Sequence, residues 1–438
     1  MKKFFIILAL AATVQVANGQ QQAKSVNAAK SALDKAAAAV ENPKSNTKLA
    51  TWLKYGQALM DAYNAPAGNA WAGMTQQEFN VLSNGEKAQS QEQVTVSGQP
   101  YLKQVFANKN LYFGQDGKLV VIEITKPVVE NGLEKALDAY KKAVTLDPKG
   151  TKTKDIAEAL KNISSKYVDQ AYNAYALGDF LKASEGFEKA FNAAATAPYS
   201  TVDTLSLYNA GFTAWHGLNF DRAKTFFSKC ADYGYLGSDG DVYVKLADIA
   251  ERAGDAAARK NYLEQGFVKY PQSQGILVGL INYYIVSGED TDRLFKLIDD
   301  AKKNDPKNAS LAYVEGNAYV KLNRFEEAEK AYDECATIDP TYEYGYIGKG
   351  IYLYNRAVAL QEEASKELDD AKYTALQGQF ESVLKACIEP FEKGFELCKD
   401  NGDKKTVAEY LKNACFRFRT QDPSYMEKYE KYSKVAQE

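Results

Sequence analysis

The sequence predicts an all-α chain, an α-solenoid of stacked helical hairpins, with a small antiparallel β insert in the first hairpin. Three observations carry that prediction. An alanine, a large apolar or aromatic residue four later and a small residue three after that recur as Ala136, Tyr140, Ala143, as Ala183, Phe187, Ala190, as Ala223, Phe227, Cys230 and as Ala328, Tyr332, Cys335. Landmarks keep a fixed period: Gly316 to Gly350 and Pro306 to Pro340 each span 34 residues, and Pro271 to Pro306 spans 35. That period belongs to two-helix units, which bury their apolar faces by stacking on neighbours. Finally, the first hairpin breaks its own spacing with a stretch patterned as strands.

Taken in order, residues 1–19 carry Lys2 and Lys3, an apolar run from Phe4 to Val16, and small Ala17 and Gly19. This pattern predicts a signal peptide cleaved before Gln20, hence export to the periplasm or secretion. The run is shorter than the roughly 20 residues a membrane span needs, as is the longest apolar run downstream, Ile276 to Val286, so no transmembrane segment is expected. Residues 20–63 hold an N-terminal capping helix, Ala23 to Val40, and the opening helix of the first hairpin, Leu49 to Tyr63. The closing helix of that hairpin runs from Gly132 to Pro148. Gly56 to Ala136 is 80 residues, where Gly211 to Ala223 and Gly316 to Ala328 are 12, so about 68 residues are inserted. Within the insert, 64–130, the segments Val94 to Gly98, Pro100 to Phe106, Leu111 to Gly114 and Lys118 to Thr125 are separated by turn residues, which predicts a small antiparallel meander.

The regular array occupies 131–342. Each unit has an opening helix with a small residue at the crossing, a tight turn such as Leu177-Gly178-Asp179-Phe180 or Leu322-Asn323-Arg324-Phe325, and a closing helix. Asp-Pro ends several closing helices, because proline pushes the residue before it out of the α region. Two units depart from the pattern: Gly240 to Gln274 puts Arg259 where alanine is usual, and Gly275 to Lys307 puts Asn282 and Leu294 at the close-packing positions. In 343–438, Gly350 to Cys387 is 37 residues, an excess of 25, so both helices of the last hairpin are expected to run about three turns longer than the norm. Lys404 to Arg419 and Tyr425 to Ala436 then read as C-terminal capping helices.

On these residues the chain resembles the tetratricopeptide repeat family. In the unit Ala309 to Tyr342, the residues Gly316, Tyr319, Ala328, Tyr332, Cys335 and Pro340 fall at the family's small, aromatic, alanine, aromatic, small and proline positions. The resemblance implies that opening helices line a concave groove. Its groove-facing register falls on Tyr172 and Tyr175, on Tyr208, Phe212 and Trp215 with His216 beside them, and on Tyr283, Tyr313, Lys321, Ile351 and Tyr354. The function so implied is that of a non-catalytic protein-protein interaction scaffold of the cell envelope, taking a partner peptide or protein along that aromatic stripe without a cofactor.

The rest of the composition points the same way. A net charge of −3, or −5 without Lys2 and Lys3, offers no basic footprint, so no nucleic-acid partner is expected. His216 is the sole histidine and has no nucleophile or orienting group near it in sequence, which makes it a structural or ligand-contact residue rather than a general base. Asp239-Gly240-Asp241 lacks the spacing of a calcium loop, and Gly114 to Lys118 lacks that of a phosphate loop. No catalytic residue, cofactor or metal ligand is therefore expected. The five cysteines imply no disulfide framework; Cys398 with Cys415 is the one pairing left open, while Cys230 and Cys335 stand at small-residue packing positions. Two alternatives remain from the same residues: a glycan- or small-ligand-binding envelope protein using Trp215 and His216, or a non-catalytic subunit of an envelope enzyme or secretion complex.

Overall fold

Glycines set the helix crossings. A Cβ built on Gly56, Gly211, Gly316 or Gly350 would lie 2.8 Å from Tyr140, 3.1 Å from Phe227, 2.8 Å from Tyr332 and 2.6 Å from Phe391, respectively. Only a residue without a side chain lets each opening helix approach its partner ring this closely. Gly211–Phe227 and Gly316–Tyr332 are each 16 residues apart, whereas Gly56–Tyr140 is 84 and Gly350–Phe391 is 41. The excesses are the 68-residue insert and the 25-residue extension predicted from the spacing.

The computed structural model describes residues 23–83, 85–271, 273–287 and 291–437. The leader expected at 1–19 lies outside them. The chain is almost entirely helical and divides into two units, Met1–Tyr235 and Leu236–Glu438.

In the first unit, α1 (Val26–Glu41) packs on α2 (Leu49–Asn64). The insert follows, with α3 (Gln76–Leu82) and strands β1 (Ser90–Val96), β2 (Gln99–Val105), β3 (Lys109–Phe113) and β4 (Leu119–Ile124). Then come α4 (Gly132–Thr145), α5 (Thr153–Ala176), α6 (Phe180–Ala195), α7 (Thr204–His216) and α8 (Phe220–Asp232). Side chains of Asp179, Asp203 and Asn219 accept the N–H groups of Lys182, Ser206 and Arg222 at the starts of α6, α7 and α8, satisfying donors that a helix leaves open. Buried hydroxyls tie neighbouring hairpins together: Ser164 Oγ donates to the Ala190 carbonyl at 2.9 Å, and Ser184 Oγ to the Ala210 carbonyl at 2.7 Å. Around them Leu59, Ala136, Ile156, Leu160 and Ile163 are fully buried.

The four strands form one antiparallel sheet in chain order, as the turn residues predict. Ser97 and Gly98, both at positive φ (51° and 76°), make the two-residue β1–β2 loop. Helix α3 was not expected from periodicity, yet Thr75 and Glu78 form a capping box at its start: Thr75 Oγ1 accepts from Glu78 N, and Thr75 N donates to Glu78 Oε2. One face of the sheet buries Phe106, Leu111, Phe113 and Leu119 with Met74 and Phe79. On the other face, Tyr101, Tyr112 and Val121 pack with Ala176 and Leu177 at the end of α5. Lys109 is fully buried beside Phe79 and Phe106 on the first of these faces. Its ammonium donates to Glu86 Oε2 at 2.7 Å and to the Pro66 carbonyl at 3.1 Å, and lies 5.4 Å from the Phe106 ring centre, so the charge is both paired and hydrogen-bonded.

The second unit contains α9 (Asp241–Arg252), α10 (Ala256–Lys269), α11 (Gln274–Ser287), α12 (Asp292–Asn304), α13 (Ala309–Lys321), α14 (Phe325–Ile338) and α15 (Glu343–Ala364). It ends with α16 (Asp370–Ala386), α17 (Ile388–Leu397), α18 (Asn401–Phe418) and α19 (Pro423–Gln437). In the two irregular repeats, Arg259 turns aside to pair with Glu251 at 2.9 Å, while Leu294 is buried where alanine is usual. The last hairpin differs from expectation on its closing side. The opening helix α15 reaches 22 residues, but the closing partner of Gly350 is Phe391 on the short α17, and α16 is a separate piece before it. Pro390 explains the break: in a continuous helix its ring would collide with the carbonyl four residues back, so α16 stops at Ala386. Helix α19 is held to α17 by Glu392, which accepts from Lys428 at 2.8 Å and Tyr432 at 3.0 Å. All five cysteines are free thiols, Cys398 and Cys415 included, so the pairing left open is not formed.

Candidate partner-binding surface

The eleven expected groove residues divide between the units. In the first, α5 supplies Tyr172 and Tyr175, and α7 supplies Tyr208, Phe212, Trp215 and His216. Positions 172 and 175, like 208, 212 and 215, fall three or four apart and so share a helix face. Their rings run on from one another. His216 bridges the two helices, its ring centre 5.9 Å from Tyr175 and 6.1 Å from Phe212; Phe212 in turn lies 6.3 Å from Tyr208, nearly parallel, and 6.3 Å from Trp215. Two rings outside the expected set join them: Phe180 at 4.5 Å from His216, and Tyr235 at 5.7 Å from Tyr208. Tyr172 is turned edge-on to Phe187 in the hairpin core at 5.1 Å. Burial raises the Tyr172 and Tyr175 phenols above their usual range, so both hydroxyls are neutral at pH 7. The result is an apolar surface with phenol and imidazole tips, suited to packing against a partner and accepting or donating at its edge.

The sheet borders this surface. Asn173, between Tyr172 and Ala174 on α5, donates its Nδ2 to the Ile122 carbonyl at 3.1 Å and accepts the Ile122 N–H on Oδ1 at 3.2 Å. A side-chain amide thus imitates a neighbouring strand and fixes β4 to the helix that carries Tyr172 and Tyr175. Sequence reasoning could not find this contact, since the partners lie 51 residues apart and neither belongs to a motif.

In the second unit the expected residues do not gather. Tyr283 is buried, 4% exposed, in a core with Leu280, Tyr284 and Leu311, which corrects its assignment to a groove surface. Tyr313 fills the space between hairpins, 6.3 Å from Tyr332 and Tyr342 and 6.1 Å from Tyr344. Lys321 is exposed at the end of α13, Ile351 is half-buried, and Tyr354 stands edge-on to Tyr410 at 5.0 Å. These are mostly packing contacts.

His216 has Phe180, Tyr175 and Phe212 as ring neighbours, and no carboxylate or nucleophile is among those contacts. Among the described residues no group of three or more His, Cys, Asp or Glu side chains is placed to hold a metal ion, and no helix is long and apolar enough to cross a membrane. Burial pushes the Cys230 and Cys335 thiols up to about 12, which keeps them protonated and inert. They are packing residues; Cys335 Sγ would lie 2.6 Å from a Cβ on Gly345 of α15.

The family model of the tetratricopeptide repeat matches residues 309–342. No curated relative matches the chain. Among solved structures, the chain is similar to a tetratricopeptide repeat protein from Parabacteroides merdae ATCC 43184, with 15% identity over 57% of this chain and 98% of the other and a TM-score of 0.32. It is also similar to YrrB, a TPR protein with an unusual peptide-binding site, with 17% identity over 48% of this chain and 96% of the other and a TM-score of 0.27. A TPR repeats protein from Bacteroides fragilis NCTC 9343 gives 12% identity over 57% and 97%, with a TM-score of 0.26. Likeness at that level carries no argument about function. Residues 309–342, which hold helices α13 and α14, match the tetratricopeptide repeat model, and the glycine-on-ring crossings at Gly56, Gly211 and Gly350 repeat the same plan in the hairpins before and after them.

Proposed function

We propose that this protein is a non-catalytic scaffold that binds an extended segment of a partner protein on the aromatic surface of its first unit. The supporting observation is the continuous run Tyr175, His216, Phe212, Tyr208 and Trp215 across α5 and α7, bordered by a sheet that Asn173 holds in place. Aromatic residues carry a large share of binding energy because each buries a wide area while losing few rotamers. Helical-hairpin arrays use such faces to take peptides. Export through a cleaved leader, and with it a place in the cell envelope, is part of the same proposal and rests on residues 1–19.

Affinity capture from the native envelope, followed by direct titration of the captured protein, tests this reading. Phe212→Ala and Trp215→Ala should each weaken the titrated affinity about tenfold or more, with unchanged helix content. Wild-type affinity in both variants would sink the proposal. Oligosaccharide binding lost in Trp215→Ala would instead favour the glycan reading.

A further inference from the structure

The two edges of the inserted sheet are treated differently. On β4, the outer backbone groups are taken: Leu119 N donates to the Met74 carbonyl at 2.8 Å, its carbonyl accepts from Gly73 N at 2.7 Å, and Ile122 is held on both groups by Asn173. On β1, no further strand pairs among the described residues. The two-residue loop makes Val96 and Gln99 the first hydrogen-bonded pair, so by alternation Val94 and Glu92 also turn their backbone toward β2. The N–H and C=O groups of Gln91, Gln93 and Thr95 then point outward.

This edge carries none of the usual guards. It is seven residues long, pairs with β2 along its whole length without a bulge, and contains neither proline nor lysine. Its single charge, Glu92, is neutralised by Lys103 on the next strand at 3.3 Å. Beside it, Val94 and Val96 pack with Tyr101, Tyr112 and Val121 against Ala176 and Leu177, so one face of the edge is already an apolar platform.

We propose that β1 is a second binding site, which takes an extended strand of another protein by addition to the sheet. The chemistry of the occupant follows from the edge. Alternating outward donors and acceptors are matched only by an extended polypeptide backbone. Alternate side chains of that segment lie beside Val94 and Val96 and are apolar and β-branched, while no acid stands beside Glu92. This site is independent of the aromatic surface on α5 and α7.

The test uses the full chain and a nine-residue synthetic peptide of alternating threonine and valine with a lysine at each end, read by hydrogen exchange of segment 89–97. Saturating peptide should slow exchange there at least tenfold. Gln93→Pro removes an outward N–H without removing a bond to β2, and should abolish the slowing. The same peptide N-methylated at alternate residues should fail on the wild type, which keeps the test decisive even where the proline variant folds poorly. Unchanged exchange at saturating peptide, or equal protection by the methylated peptide, would overturn the site. Protection that appears without peptide and grows with protein concentration would overturn the partner assignment and place a second copy of this chain on the edge.

Discussion

At the level of single residues, the chain spends its conformational freedom where helices turn or cross. Gly178, Leu218, Gly254 and Asn323 occupy the same place in their hairpin turns, and all have positive φ. Three are glycine or asparagine, which adopt that region at little cost; Leu218, at φ 61° and 69% exposed, is neither. Leu218→Gly should therefore raise stability by about 0.5–1 kcal/mol in chemical denaturation, and a measured loss would show that the leucine side chain contributes more than its backbone strain costs. Conversely, Gly350→Ala puts a Cβ 2.6 Å from Phe391 and should cost about 1–3 kcal/mol through overpacking. The crossing alanines are legible because each sits four residues before its ring, as Ala136 before Tyr140 and Ala328 before Tyr332, and the glycines at 56 and 350 fall into line once the insert and the extension are subtracted. Tyr283 was misplaced for a reason also visible there: it belongs to Ile276–Val286, a helix apolar nearly all round, and such a helix has no wet face to offer a groove.

At the level of elements, local signals were readable and distant partners were not. The strand segments and their order followed from alternation and turn residues, and the capping box at Thr75 and Glu78 marks α3 for anyone looking for it. Pro390 likewise marks the break between α16 and α17. No local pattern announces Asn173. Replacing it with alanine leaves the Ile122 N–H and C=O without their partner and should cost about 1–3 kcal/mol, with faster hydrogen exchange at Ile122 and no loss in α5; unchanged exchange would remove the clamp from the account. A second long-range tie makes a pH prediction. Burial pushes Glu264 on α10 up, but hydrogen bonds from Arg293 on α12, at 2.7 Å through Nε and Nη2, and from Tyr284 on α11 outweigh it and hold the carboxyl below its usual range. A lowered folded-state value means stability that is present above the unfolded-state value, near 4.3, and lost as pH falls through the folded one. Glu264→Gln should thus melt below the wild type at pH 7, and the gap should close under pH 4. A gap that stays constant with pH would mean the carboxylate charge contributes nothing.

At the level of the molecule, the chain has more than one core. Leu59, Ala136 and Ile163 belong to a cluster of the first unit, while Leu280, Leu294 and Leu311, and separately Phe391, Leu411 and Phe418, belong to clusters of the second. In hairpin arrays each repeat draws its stability from itself and its immediate neighbours, so cooperativity falls off along the chain. Proteins with several cores depart from all-or-none unfolding for that reason. The distribution of tryptophan makes the point measurable, since Trp52, Trp71 and Trp215 all lie in the first unit and the second has none. Intrinsic tryptophan fluorescence therefore reports the first unit alone, while far-ultraviolet circular dichroism reports helices throughout. In a urea titration the two signals should give different midpoints, and calorimetry should give a total enthalpy larger than the van't Hoff value. Coincident midpoints with equal enthalpies would instead mean that the 19 helices and the sheet of the described residues unfold as one cooperative body, and the repeat-by-repeat account of this chain's stability would fall with that result.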